Sequence, residues 1–323
     1  VPDRMHITVV IPCFNAADTL GRLLESLRVQ TLSSSLWDAV VVDDGSVDAS
    51  RAQVERFDFV SVLTQNRRGA GAARNAGARA ATGDILLFLD ADVEAAPDLL
   101  ERHLEYHERF PGVAAVGGAV APRSPLRVFE WRTADYLSSW FNAHPGIAAG
   151  GRPEYQPGLN FSVKRRVVFI DGGLAWPETL LHGGEDVLFC LALRHRGLRL
   201  AFCPTALVRH RDRETCRGYC EHMYHWGFHA PFVRGQHSGL RFGFLFPPGP
   251  AAIWMLAPII ICGYTGLIWR AWVRSRPALA TLAIPQILVG RVAYMVGVLD
   301  GVRALRSRSC STGSRKNCAA RKE

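Results

Sequence analysis

Ile85-Leu86-Leu87-Phe88-Leu89-Asp90-Ala91-Asp92 joins an unbroken apolar run to a pair of carboxylates. A short run without polar interruption suits a strand covered on both faces, and the abrupt change to charge marks where that strand leaves the core. Working outward, Ala39-Val40-Val41-Val42 is a similar run that ends in Asp43-Asp44-Gly45-Ser46. Ile7-Thr8-Val9-Val10-Ile11, bounded by Pro12, and Phe59-Val60-Ser61-Val62-Leu63 complete a set of four. Leu20, Leu23, Leu24 and Leu27 share one face of an intervening helix that Asn15 or Asp18 is expected to cap. This alternation, continuing to about Thr205, predicts an α/β fold with a mainly parallel sheet flanked by helices. In such sheets ligands gather beyond the carboxyl ends of the strands, so both acidic clusters are expected on one edge.

Composition narrows the function classes. The chain has 323 residues, 48% of them hydrophobic and 21% charged, which excludes a disordered tail and leaves room for a sizeable core. Its net charge of +9 admits nucleic acid, an anionic membrane surface or phosphorylated small molecules as partners. Of 38 basic residues only Lys164, Lys316 and Lys322 are lysine, so part of the excess reflects an arginine-rich coding bias. The eight cysteines show no framework spacing and point to a reducing compartment. The N-terminal stretch runs directly into a strand pattern and lacks the features of a signal peptide.

Carboxylates gathered at one sheet edge repel each other unless something positive joins them, and a divalent cation holding a substrate's phosphates is the economical answer. Between the two clusters lies Asn66-Arg67-Arg68-Gly69-Ala70-Gly71-Ala72-Ala73-Arg74-Asn75-Ala76-Gly77, whose glycines permit close backbone approach and whose arginines neutralise phosphate. It is neither a Walker A loop nor a dinucleotide fingerprint. A third cluster, Gly183-Gly184-Glu185-Asp186, opens a helix carrying Val187, Leu188, Leu191 and Leu193. Acids there favour the helix dipole, and one of them can also serve as a general base.

With these residues in place, the chain resembles the family 2 glycosyltransferases of the GT-A fold. The resemblance is carried by Val10-Ile11-Pro12-Cys13-Phe14-Asn15, Val42-Asp43-Asp44-Gly45-Ser46, Ala73-Arg74-Asn75-Ala76-Gly77, Phe88-Leu89-Asp90-Ala91-Asp92 and Gly184-Glu185-Asp186, in order and in register across roughly residues 6 to 212. It implies a nucleotide-sugar donor, UDP- or GDP-linked, and Mg²⁺ or Mn²⁺ as cofactor. Asp44 would recognise the base, with Pro12 and Asn15 nearby, and Arg74 would lie beside the nucleotide. Asp90 and Asp92 would form the metal-binding Asp-X-Asp motif, and His210 occupies a place where relatives supply a further metal or phosphate contact. Asn160 would sit near the donor sugar. Asp186 would be the catalytic base of an inverting reaction, and Glu185 would position the acceptor or the base. Met223-Tyr224-His225-Trp226-Gly227 lacks the Gln and Arg of the Gln-X-X-Arg-Trp motif, which argues against a processive polymerase.

The rest of the chain reads as membrane. Residues 242 to 269 carry no charge, and Ile253 to Trp269 is nearly long enough to cross a hydrocarbon core of ~30 Å. Pro277 to Leu299, with Pro285 and a single Arg291, is a weaker second span that could kink or lie at the interface. Arg303, Arg306, Arg308, Arg315, Lys316, Arg321 and Lys322 follow, as in a cytoplasmic tail facing anionic lipid. The expected organisation is a GT-A domain over 1–240, with a nucleotide-binding half to about 122 and an acceptor-side half from 123. Two membrane-associated helices over 241–300 and a basic tail over 301–323 complete it. The chain is therefore expected at the cell membrane, its catalytic domain on the cytoplasmic side. Its partners would be the donor, a glycan or lipid-linked acceptor and membrane lipids, with no nucleic acid.

Three other readings are weaker. A zinc site drawn from Cys216, Cys220, His222, His225 and His229 matches no standard module. A nucleotidyltransferase would carry a basic glycine-rich loop where Pro12-Cys13-Phe14-Asn15 stands. A non-catalytic membrane adaptor that retains the fold is disfavoured because every motif acid is present.

Overall fold

The computed structural model describes residues 4–148, 153–169, 173–180, 183–236 and 250–319. In chain order the elements are β1 (Ile7–Cys13), α1 (Leu20–Arg28), β2 (Trp37–Asp43), α2 (Ser50–Val54), β3 (Val60–Thr64), α3 (Ala70–Ala80), β4 (Ile85–Leu89), β5 (Val93–Ala95), α4 (Leu99–Arg109) and β6 (Val113–Pro122). They continue with α5 (Trp131–Ser139), β7 (Asn160–Lys164), α6 (Arg165–Phe169), α7 (Glu185–His195), β8 (Arg199–His210), α8 (Cys216–Gln236), α9 (Pro250–Trp272), α10 (Pro277–Leu282) and α11 (Ile284–Ala319). The chain forms two compact units. One comprises Val1–Pro125, Trp140–Leu181 and Glu185–Asp212; the other comprises Leu126–Ser139, His182–Gly184 and Arg213–Glu323.

The first unit is built on an eight-stranded sheet in the order β3-β2-β1-β4-β7-β6-β8-β5. β1 pairs in parallel with both β2 and β4, and β2 with β3, so the carboxyl ends of these four strands share one edge as the sequence predicts. Beyond β4 the sheet is mixed: β7 runs antiparallel to β4 and β6, β8 parallel to β6, and β5 antiparallel to β8. β1 and β4 are buried along nearly their whole length. β3 departs from expectation. It is one of the two edge strands, and Ser61, Val62 and Thr64 are exposed; among the described residues no strand pairs with its outer side.

The leucines of α1 are all buried, as their spacing requires, but neither Asn15 nor Asp18 caps the helix. The N-cap is Thr19, without a side-chain cap bond. Asn15 is engaged elsewhere: at a φ of 48° its N–H donates to Ser46 Oγ and its Oδ1 accepts from the Val47 N–H, locking the turn after β1 to the turn after β2. α3 lies directly on the sheet because its residues are small. A Cβ on Gly77 would come within 2.4 Å of Val10 Cγ1 and 3.1 Å of Val42 Cγ2. Trp176 anchors the apolar core on the same side, stacked on Phe189 at 4.3 Å and meeting Phe88 and Phe161 edge-on.

In the second unit, α8 and α11 approach closely through glycines. Cβ atoms on Gly227, Gly297 and Gly301 would fall 1.9, 2.1 and 2.2 Å from the carbonyls of Tyr294, Tyr224 and Phe228. The break between α10 and α11 falls two residues before Pro285, which sits in the first turn of α11 where its missing N–H costs nothing. Arg291 is buried in α11, its Nη2 2.6 Å from Met223 Sδ and its guanidinium over the Tyr294 ring. Among the described residues α9 is the one helix long and apolar enough to cross a membrane, and Trp254, Met255, Ile259 and Trp269 are exposed along it. The uncharged residues 242–249 and those after 319 lie outside the described residues. On α8, His222 turns to Asp135 at 2.8 Å and His229 Nδ1 to the His225 carbonyl.

Gly77→Ala is expected to lower stability by about 1–3 kcal/mol, because the added methyl meets two β-branched side chains packed in the sheet. Urea unfolding of wild type and variant measures the loss; an unchanged midpoint would contradict this packing.

Candidate active site

Each cluster at the strand ends is held by a distinct device. After β2, Asp43 Oδ1 accepts from the Ser46 N–H three residues on, across a turn whose Gly45 has a φ of 81°. Asp44 is buried, and its carboxylate gathers the loop that leads into α3. Oδ1 accepts from Gln65 Nε2 at 2.7 Å and the Arg68 N–H at 2.8 Å, and Oδ2 from the Gly69 N–H at 2.7 Å. Pro12 is partly exposed in β1 opposite Val42, and the Arg67 guanidinium lies 3.6 Å from the centroid of the Phe14 ring.

At the end of β4 the third and second acidic clusters meet. Arg74, on α3, donates from Nη2 to Asp90 Oδ1 and from Nη1 to Glu185 Oε1, both at 2.7 Å, and its side chain is 3% exposed. Its guanidinium also lies over Trp176, 4.7 Å from the ring centroid. Burial works against the charge on Arg74, but the two carboxylates outweigh it and raise its pKa. Asn75, the next residue, clamps the segment around Trp176 by accepting from the Trp176 N–H and donating to its carbonyl.

Glu185 and Asp186 begin α7. Glu185 is buried and its Oε2 has no partner. Asp186 accepts from the Val187 N–H at 2.8 Å. Burial, followed by the charge on Glu185, pushes the Asp186 carboxyl up to about 7, with Arg74 opposing. A carboxyl so placed is close to half ionised at neutral pH, as a general base should be. Burial likewise raises Asp90, against the pull of Arg74.

His210 closes β8 and pairs in register with Val93, which places it beside Asp92. Its Nε2 is 3.4 Å from Asp92 Oδ2 and its Nδ1 3.1 Å from Asp212 Oδ1, while Asp212 also accepts from Trp140 Nε1 at 2.9 Å. Burial disfavours the imidazolium, yet Asp92 and Asp212 overcome this and push His210 up to about 10. An oxygen and an imidazole nitrogen therefore face each other, with a second carboxylate orienting the ring from behind, and both are donor types that a divalent cation accepts. Among the described residues no group of three or more His, Cys, Asp or Glu side chains converges on one point. The pair thus fits an ion whose remaining ligands come from substrate oxygens and water.

Asp212, Trp140 and Trp176 are absent from the sequence reading. The His-X-Asp spacing at the end of a strand was the available signal for Asp212, since residues two apart share a face. Asn160 is 1% exposed and its amide is spent internally, on His103 and on two backbone carbonyls.

Comparison with known proteins gives the family and the fold. Residues 8–172 match the family model described as glycosyl transferase family 2. The pre-mycofactocin glycosyltransferase of Mycobacterium tuberculosis is 30% identical over 97% of the chain, which spans 60% of that relative's length. The O-antigen chain rhamnosyltransferase RfbN of Salmonella typhimurium is 28% identical, covering 73% of the chain and 76% of the relative. Among solved structures, the mannosyltransferase PcManGT of Pyrobaculum calidifontis, in complex with GDP-Man and Mn²⁺, aligns with a TM-score of 0.64 at 20% identity over 92% of this chain and 88% of that one. The last comparison identifies the fold as GT-A.

The raised His210 has a consequence for pH. A histidine whose folded pKa exceeds its unfolded value of about 6.5 contributes stability that is fully present below that value. That contribution disappears as pH rises through the folded value of about 10. In metal-free protein, thermal unfolding followed from pH 6.5 to 10 should therefore fall more steeply for wild type than for His210→Gln; equal slopes would show that the imidazolium does not bridge the two aspartates.

Proposed function

The chain belongs to glycosyltransferase family 2, and on that premise we propose that it moves a sugar from a UDP- or GDP-linked donor to a lipid-linked or cell-envelope glycan acceptor, inverting the anomeric carbon. The observation that carries this reading is the meeting of the Asp90-Ala91-Asp92 and Glu185-Asp186 clusters through Arg74, with His210 beside Asp92.

Asp92 and His210, with Asp90 alongside, would hold a Mg²⁺ or Mn²⁺ ion. When bound, the ion supplies charge stabilisation to the departing nucleoside diphosphate. Asp212 fixes the His210 ring so that Nε2 faces Asp92. Arg74 pins Asp90 and Glu185 at fixed positions on either side of the reacting centre, so neither carboxylate drifts when charge moves. Asp186 takes the proton from the attacking acceptor hydroxyl, for which its raised pKa suits it. Glu185, whose buried Oε2 makes no hydrogen bond, adjoins that base and would help to position it. Asp44, Pro12 and Asn15 frame the base end of the donor site, Asp44 through the loop it organises. The residues of α8 that replace a Gln-X-X-Arg-Trp motif favour single transfers over polymerisation.

The second unit supports action at a membrane. The exposed face of α9 carries Trp254, Met255, Ile259 and Trp269, and Arg270, Arg274 and Arg276 follow at its end. Apolar side chains bordered by arginine suit the boundary of an anionic bilayer. On this reading the catalytic unit would face the cytoplasm.

Asp186→Asn should lower the transfer rate by about 10²–10⁴ while leaving the fold intact. The acid limb of the wild-type kcat/KM profile should titrate near the folded value of about 7, rising with pH as Asp186 ionises. Release of nucleoside diphosphate, screened over nucleotide sugars with host membranes as acceptor, reads both; full activity in Asp186→Asn or Asp92→Ala removes the site assignment. For the membrane reading, flotation with phosphatidylglycerol vesicles should retain wild type and lose the double variant Trp254→Ser, Met255→Ser; equal retention would place the contact elsewhere.

A further inference from the structure

α4 sends two histidines into the sheet. His103 and His107 lie one turn apart and are 0% and 1% exposed. Burial lowers them to about 4 and about 3, so both are neutral and each carries a single ring N–H. The direction of every bond follows. Asn160 Oδ1 can only accept, so His103 donates to it from Nε2 at 2.9 Å. His103 Nδ1 must then accept, and it does so from the Ser162 hydroxyl at 2.9 Å. Ser162 Oγ in turn accepts from His107 Nε2 at 2.9 Å. At the other end, Asn160 Nδ2 donates to the carbonyls of Ala119 at 3.1 Å and Ala206 at 3.0 Å. The result is a one-way chain of hydrogen bonds that crosses from α4 through β7 to β6 and β8.

Its terminus is the one place where the β6–β8 ladder slips within its length beyond Gly117. Pairing jumps from Gly118↔Cys203 to Ala119↔Leu207, leaving Pro204-Thr205-Ala206 as a bulge in β8. Bulges re-aim side chains, and a slip of one residue turns a strand's faces over. After the bulge β8 runs in register to Pro122↔His210, and against β5 to Val93↔His210. Asn160 bonds both sides of this irregularity, and a Cβ on Gly118 would come 2.2 Å from its Nδ2.

We propose that His103 is a positioning residue: acting through Asn160, it fixes the bulge in β8 and so holds His210 against Asp92. This rests on the reading of Asp92 and His210 as cation ligands. It also reassigns Asn160 from the donor sugar to the framework behind the site.

The test uses the full chain and Mn²⁺ binding followed by electron paramagnetic resonance with UDP or GDP present. His103→Phe, folded by circular dichroism, should bind Mn²⁺ about tenfold more weakly, whereas His103→Gln, whose amide can serve both neighbours, should return to within about twofold of wild type. The donor KM should rise in parallel with the loss of Mn²⁺ affinity. A folded His103→Phe that melts earlier but binds Mn²⁺ as wild type does makes the chain merely structural and overturns the proposal. Should His103→Phe not fold, Ser162→Ala cuts the chain one link back and is judged by the same criterion. His210→Ala tests the underlying reading separately. If that variant binds Mn²⁺ normally, the cation assignment fails, and a crystal structure of the His103 variant decides alone: a His210–Asp92 separation still at 3.4 Å refutes the positioning role.

Discussion

A single buried guanidinium ties the end of a central strand to the start of a helix in the first unit. Arg74 bonds Asp90 at the end of a strand and Glu185 at the start of a helix, residues far apart in the chain. Without it those carboxylates and Asp186 would face one another at partly desolvated positions, where repulsion is strong. Removing one member of a buried pair of this kind costs about 3–5 kcal/mol, because the partner is left charged and unpaired. Lysine is a poor substitute, since its three donors radiate from one nitrogen, whereas the rigid guanidinium spans the two carboxylates with Nη1 and Nη2. The bond to Glu185 also brings Asp186 into place, because the two acids are adjacent in the first turn of α7.

The other charges at this edge are managed by the same logic with different means. Asp43 and Asp44 spend their oxygens on backbone N–H groups and, for Asp44, on the Gln65 amide as well, so they shape loops. Asp92 and Asp212 share one histidine, which their combined charge keeps protonated in the absence of an ion. The imidazolium thus acts as an internal counter-charge for the two carboxylates. The net excess of basic residues in the chain thus has a local use: arginine at Arg74 neutralises acids of the site itself.

The second unit obeys a packing constraint. Backbone contact between α8 and α11 requires glycine at Gly227, Gly297 and Gly301, and each lies against a carbonyl of the facing helix. Arg291, which looked like an interruption of a membrane span, is turned inward against Met223 and Tyr294. A polar group inside an apolar helix is tolerable when it faces protein, and that is how this one is accommodated.

The parallel half of the sheet, the amphipathic α1 and the common edge of the acidic clusters were legible in the sequence, because apolar periodicity and strand polarity are local properties. So was the placement of Asp90 and Asp92 just beyond a buried strand and of Glu185 and Asp186 at the start of a helix. The edge position of β3 was not legible, because an apolar run does not reveal whether a neighbour exists. Nor were the partners of Arg74, the pairing of His210 with Asp212, or the internal role of Asn160. Those depend on which strands lie side by side and on a bulge that re-aims β8. Sequence alone determined where the charges would surface; only the tertiary structure decided which of them meet, because hydrogen-bond partners are set by proximity in space and the chain separates them by up to a hundred residues or more.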